Sequence, residues 1–495
     1  MLSSPSSIRL RQPADLTLEA FEQIVWDGSP VVLDPALLGQ VTASRARMME
    51  VLADGRDVYG VTTGMGYLAG VRLNEAEQQN HQANLLLGRA VGGPPFLERD
   101  EARAVLLARL AGFMSGHAGV TAELCQFLAD RLNDDFVPAI PREGMGCAGE
   151  IIPLSHAFQT FIGVGEVLCA DGAVQSAVDA LAERGVAPYQ PAIKEGIALL
   201  AGAPAALALT AVHRRTAAVL SRQLLVAAAC TIDAMRAPLS PYDPAVARLA
   251  GDPVMYEMLE QLSAMLTGSD QERPTKQAPV SFRVIPQVLT HLERIRSRVD
   301  ESVRRALAAV TDSPAFVDDR FVTSGGFHAI ELAAAMDSLC IALVQAAELA
   351  SQHIHRLLDH RFTGLPDQLT PLPGLHAGLV VVHKRVVGTV NELRRLAAPA
   401  TIGLMDTSLG QEDAMTFSFE VAEKLRRVES LVRDVIACEL LVVRQAWALR
   451  DAPEATGLHD HFVQLASTIP PVEQDRPLGS DIGVLVALLR SGAFQ

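Results

Sequence analysis

Tyr59 stands among Gly60, Gly64 and Gly66 in the stretch Val58-Tyr59-Gly60-Val61-Thr62-Thr63-Gly64-Met65-Gly66. Three glycines so near one phenol describe a pliable backbone able to bring that phenol over a pocket, although a glycine-rich surface turn would have the same composition. Arg89 offers a permanent charge and a planar fork of donors suited to a carboxylate or phosphate; a solvated surface arginine is the alternative. Cys147 lies in the tight run Gly144-Met145-Gly146-Cys147-Ala148-Gly149. It would serve as a nucleophile if a helix N-terminus following Pro153, or a nearby cation, favoured its thiolate; otherwise it is an inert small residue in a loop. His353, His355 and His360 suggest a metal at first glance, but on a helix the first two point about 200° apart, which favours solvated or core histidines. His459-Asp460-His461 is read the same way, and no phosphate-cradling glycine motif is present.

These residues need a scaffold, and the composition says which kind. The chain has 495 residues, 49% hydrophobic and 20% charged, so it can bury a large core. Its apolar residues are mainly Ala, Leu and Val with 5% aromatics, which suits closely packed helices. A net charge of -15 argues against nucleic acid as a partner. Six scattered cysteines without C-x-x-C spacing read as reduced thiols of a cytoplasmic protein, and the first residues do not resemble a signal peptide. The most apolar window, Gly196 to Val212, contains Gly202 and Pro204; it predicts a buried helix with a turn and no membrane span.

Helical periodicity runs through Val288, Leu292, Ile295, Val299, Val303 and Leu307, with Arg294, Arg296, Arg298 and Glu301 largely off the stripe. Val421, Leu425, Val428, Leu431 and Val435 form a second stripe, in a run from Glu420 to Leu449 without Gly or Pro. Ala104 to Met114 and Leu332 to Leu349 also predict helices, and no series of alternating strands is evident. Long stripes need neighbouring helices, so the expected fold is an all-α bundle with a small loop-rich N-terminal part, divided as 1–205 and 206–495.

The segment from Pro141 to His156 resembles the cofactor-forming segment of the histidine and phenylalanine ammonia-lyase family. There an Ala-Ser-Gly triplet cyclises and loses water to become an electrophilic methylidene-imidazolone, MIO. The family pattern P-x-x-G-x-x-x-A-S-G-D-L-x-P-L-[AS]-H is met by Pro141, Gly144, Ala148, Gly149, Glu150, Pro153, Leu154 and His156 once the serine is deleted. Moving the gap upstream puts Ala148 in the serine's place. The methylidene carbon is the serine β-carbon, so Ala148-Gly149 cannot supply it. The Tyr59 loop resembles Y-G-V-[NT]-T-G-F-G, and Gln82 to Gly93 resembles L-Q-x-N-L-x-x-S-H-A-x-G-x-G, with Asn84 kept and Gly88-Arg89 at the Ser-His pair. Lys194 to Gly202 is similar to K-E-G-L-A-L-L-N-G with Ala201 for the asparagine. Gln277 to Val288 resembles Q-D-x-Y-S-x-R-x-x-P-Q-V, keeping Gln277 and Arg283 but carrying Val280 for the tyrosine. Ser324-Gly325-Gly326-Phe327-His328 and Gln411-Glu412-Asp413 resemble S-G-G-N-F-H and Q-E-D.

The resemblance runs from about Tyr59 to Lys424 and implies a homotetramer with shared active sites. It implies Tyr59 as the base, with Glu412 beside it as a catalytic residue, and Arg283 as the carboxylate anchor. Arg89, Gly88, Asn84, Gln277 and Phe327 are the remaining substrate contacts. An unperturbed phenol, of pKa about 10, is a poor base at neutral pH and would need partners that favour its anion. The lost Ser, Asn and Tyr all belong to the cofactor and its support, so no MIO is expected at Cys147, Ala148 and Gly149, and no metal. The expected activity is a MIO-independent elimination, isomerisation or addition-cyclisation of a small carboxylate. The alternatives are an inactive ligand-binding or partner subunit, and an ammonia-lyase or aminomutase whose MIO-like group derives from Cys147.

Overall fold

The computed structural model describes residues 6–269 and 276–495. Helices dominate. The ones that matter for the site are α1 (Glu75–Leu87), α2 (Arg99–Phe113), α3 (Ile151–Gln159), α4 (Glu195–Leu200), α5 (Pro204–Met235), α6 (Val280–Arg283), α7 (Ile285–Ala308), α8 (Ile330–Leu357) and α9 (Ser418–Ala448). Three two-stranded ladders accompany them: parallel β1 (Ile8–Leu10) with β2 (Val31–Leu33), antiparallel β3 (Glu166–Leu168) with β4 (Val174–Ser176), and antiparallel β5 (Ala315–Val317) with β6 (Arg320–Val322). Each strand is three residues long, too short for alternation to show in sequence, and the all-α expectation holds.

The chain forms two compact units. One comprises Met1–His213, Val299–Met336 and Ala400–Glu423; the other comprises Arg214–Arg298, Asp337–Pro399 and Lys424–Gln495. The expected stripes are core apart from Val288, which is half-buried: Leu292, Ile295, Val299, Val303 and Leu307 of α7 are buried, as are Val421, Leu425, Val428, Leu431 and Val435 of α9. The apolar window from Gly196 splits where expected, with Ala201–Ala203 as the turn between α4 and α5. Glu195–Met235 and Gly326–Leu357 are long and apolar enough to cross a membrane by length and composition alone. For the first, 89% of the most apolar window is buried, as in a core helix.

In the first unit α1, α3 and α4 pack against one another. Asn74 and Glu77 form a reciprocal capping box that starts α1. The contact between α1 and α4 depends on Gly196, where a Cβ would lie 2.2 Å from the Gln82 carbonyl oxygen. In its place the Gly196 N–H donates to the buried Gln82 side chain at 2.9 Å. That close approach fixes α1, which Arg89 follows, against α4.

Candidate active site

Four segments of the first unit converge on one place. The loop after Val58 closes on itself through Leu73 N–H to Thr62 O at 2.8 Å and Gly60 N–H to Gly64 O at 3.3 Å. Gly60, at φ +66°, presses on Ile197, whose Cδ1 would sit 2.1 Å from any Cβ at that position. The loop thus turns Tyr59 inward, where it is half-buried and its phenol oxygen accepts the Gly66 N–H at 2.8 Å. Gly66 has φ +60°, a left-handed conformation for which glycine is suited.

Arg89 follows the C-terminus of α1 and is half-buried. Its hydrogen-bond contacts among the described residues are long, 3.4 Å to Leu85 O and 3.9 Å to Met65 Sδ. Burial lowers its guanidinium pKa, while Tyr59 and Glu412 act in the opposite sense, so the three groups share one electrostatic neighbourhood. Glu412 is held on both sides: Oε1 accepts Ser408 Oγ–H at 2.8 Å and Oε2 accepts the Ala148 N–H at 2.9 Å. Backbone pairing of Thr407 with Glu412 closes the loop around a left-handed Ser408-Leu409 pair, at φ 54° and 58°.

The glycine-rich segment supplies the floor. Phe327 packs on Gly149, its Cβ 3.5 Å from where a Gly149 Cβ would be. The Cys147 thiol donates to Gly149 O at 3.0 Å. The following helix begins at Ile151, with Pro153 inside its first turn, so the expected start after Pro153 is corrected to one before it. The N–H groups of Ile151 and Ile152 pull the thiol pKa down, but burial, aided by Glu412 and Glu150, pushes it up to about 11. That environment disfavours a thiolate nucleophile.

Asn84 lies exposed on α1 and Gly88, also exposed, caps that helix by donating its N–H to Asn84 O. Arg283 and Gln277 belong to the second unit. There Arg283 ends α6 half-buried, with its Nε buried and without a hydrogen-bond partner among the described residues, and Gln277 is exposed. Sequence reasoning passed over several groups that the fold brings in. Ser408 precedes the Gln411-Glu412-Asp413 motif by three residues and grips its carboxylate. His81 on α1 keeps a buried Nε2 without a partner among the described residues, and burial, then Arg89, holds its pKa below the ordinary value. Glu150 was visible only as a motif match. It is 3% exposed and caps α5, accepting Ala205 N–H at 2.7 Å and Ala206 N–H at 2.6 Å. Burial raises it to about 7, against those two bonds and Arg109.

No serine stands between Gly144 and Gly149 to give MIO its methylidene carbon. Position 148 ends in a methyl and has no β-hydroxyl to lose, and Cys147 offers its sulfur one residue too early. The Ala148 N–H, which ring closure would convert to a bare ring nitrogen, is engaged with Glu412. Ala201, at the family's asparagine, has a methyl for a side chain; its carbonyl accepts from Arg109 and its N–H donates to Ile197 O at 2.8 Å.

The family described as aromatic amino acid lyase matches residues 16–467. A histidine ammonia-lyase of Burkholderia multivorans is 32% identical over 491 residues, covering 97% of each chain. That of Shouchella clausii is 30% identical over 485 residues, 96% of this chain and 97% of its own. Among solved structures, tyrosine aminomutase from Streptomyces globisporus superimposes with a TM-score of 0.91 at 26% identity, covering 99% of this chain and 97% of that one. An ergothionase from Treponema denticola, an ergothioneine-degrading enzyme, gives 0.94 at 22% identity, covering 98% and 99%; this is a likeness of fold.

Proposed function

The chain belongs to the aromatic amino acid lyase family, and from that premise we propose a carbon–nitrogen lyase or isomerase that works without MIO. Tyr59 removes a proton from carbon in a small amino-acid-like carboxylate. The observation that carries this reading is the environment of the Tyr59 oxygen. A backbone N–H is aimed at it from 2.8 Å and a half-buried guanidinium stands in the same neighbourhood, both partners that favour an oxygen bearing negative charge.

In the step proposed, the C–H bond breaks, its proton passes to the Tyr59 oxygen and its electron pair forms a new double bond. In an elimination the group on the neighbouring carbon departs with its own bonding pair. No chain-derived electrophile activates an amine, so the substrate must carry its own activation: a carbonyl, an imine, or a nitrogen that leaves readily. Arg283 holds the substrate carboxylate. Arg89, its donors only weakly engaged, reads an acceptor or acidic group at the substrate's distal end.

The test is solvent deuterium incorporation and product absorbance. The panel is L-histidine, L-tyrosine and L-phenylalanine, each also as its N,N,N-trimethyl derivative, whose nitrogen leaves as a neutral amine. Turnover confined to activated substrates and absent in Tyr59→Phe supports the reading. Turnover of the unmodified amino acids with borohydride sensitivity would return the chain to MIO chemistry.

A further inference from the structure

In the second unit, both ring nitrogens of His353 face acceptors. Nδ1 lies 3.0 Å from Glu439 Oε1 and Nε2 lies 3.0 Å from the Ser281 carbonyl oxygen. The two side chains are 3% and 1% exposed. The Ser281 carbonyl oxygen can only accept, so Nε2–H donates to it. Thr231 Oγ–H donates to the same Glu439 oxygen at 2.9 Å, which fixes the carboxyl group in turn.

The Ser281 carbonyl belongs to α6, four residues that end in Arg283. So short a helix leaves its carbonyls to outside donors. Phe282 O finds no helical donor at Pro286, which lacks an N–H, and takes the Tyr242 hydroxyl at 3.0 Å instead. The Phe282 ring rests on the imidazole, 4.8 Å between centroids. Side chains from outside α6 therefore hold its last turn. Arg283 itself has a buried Nε without a partner among the described residues. Its direction is set by the backbone of α6 more than by bonds of its own.

We propose that His353, backed by Glu439, is a positioning residue that holds α6 so that Arg283 presents its donor fork to a carboxylate. This rests on the reading of Arg283 as the carboxylate anchor. In the full chain, His353→Gln should speed deuterium exchange of the amides of residues 281–284 while leaving those of α8 protected. It should also weaken binding of L-histidine about tenfold or more, by misaiming the fork, with little change for L-histidinamide, which lacks the carboxylate. Tyr242→Phe, which removes one hydroxyl and creates no buried unpaired charge, should do the same more weakly and covers the case in which His353→Gln does not fold. Arg283→Ala should erase the preference for acid over amide without loosening α6. Unchanged exchange and preference in His353→Gln and Tyr242→Phe, beside a lost preference in Arg283→Ala, would overturn the positioning role alone. A wild-type protein indifferent to acid and amide would overturn the anchor reading and the positioning role with it.

Discussion

The carboxylate of Glu412 accepts the backbone N–H of Ala148 at 2.9 Å, so the glycine-rich loop is tied, through an amide hydrogen, to a side chain 264 residues away. Ring closure would remove that hydrogen. The purified protein is expected to have its unmodified mass, with no loss of two waters in peptides containing Cys147 to Gly149. Peptide mass spectrometry before and after borohydride decides this, and a dehydrated peptide refutes it.

Tyr59→Phe deletes the oxygen that Gly66 addresses and nothing else. Turnover of any accepted substrate should fall by about 10² to 10⁴, with binding and helicity retained. Equal deuterium exchange by wild type and variant would take Tyr59 out of the mechanism.

Arg89→Ala should redirect choice among substrates more than it slows the reaction. Ligands with an acidic or acceptor-bearing distal group should lose affinity relative to those with an apolar one. Arg89→Lys keeps the charge but not the fork, and should recover part of the preference. A uniform loss over both ligand types would assign Arg89 to the scaffold.

Much of this was legible beforehand. The stripes from Leu292 to Leu307 and Val421 to Val435 announce their helices because burial on one face repeats with the helical turn. The motifs named Tyr59, Arg89, Glu412 and Phe327, which the fold gathers into one unit. What stayed hidden depends on contacts distant in sequence. The Gly66 N–H matters only once the loop has folded back on Tyr59, and Ser408 matters only because a left-handed turn aims it at Glu412. His353 looked like one of three ordinary histidines. Periodicity could place it in the core but could not reveal acceptors at both nitrogens, supplied from Ser281 and Glu439.

Glu150 gives a prediction with a definite sign. Burial lifts its folded-state pKa from the ordinary 4.5 to about 7, so the folded protein holds this proton more tightly than the unfolded chain does. The resulting stability is fully present below about pH 4.5 and is lost as pH rises towards 7. Relative to Glu150→Gln, which does not titrate, wild type should lose about 3 kcal/mol across that window. Urea denaturation of both proteins at pH 5 and pH 8 measures it. Parallel pH curves would show that the α5 cap and Arg109 offset the burial.

Cys147 has a consequence of a different kind, for how the protein ages. With its thiol pushed up to about 11, only about one molecule in ten thousand carries the thiolate at pH 7. Peroxide and electrophilic metabolites react through the thiolate, so this sulfur is shielded by its own protonation as well as by its neighbours. Burial therefore spares the Cys147 sulfur from oxidation through the same desolvation that withholds it from nucleophilic chemistry.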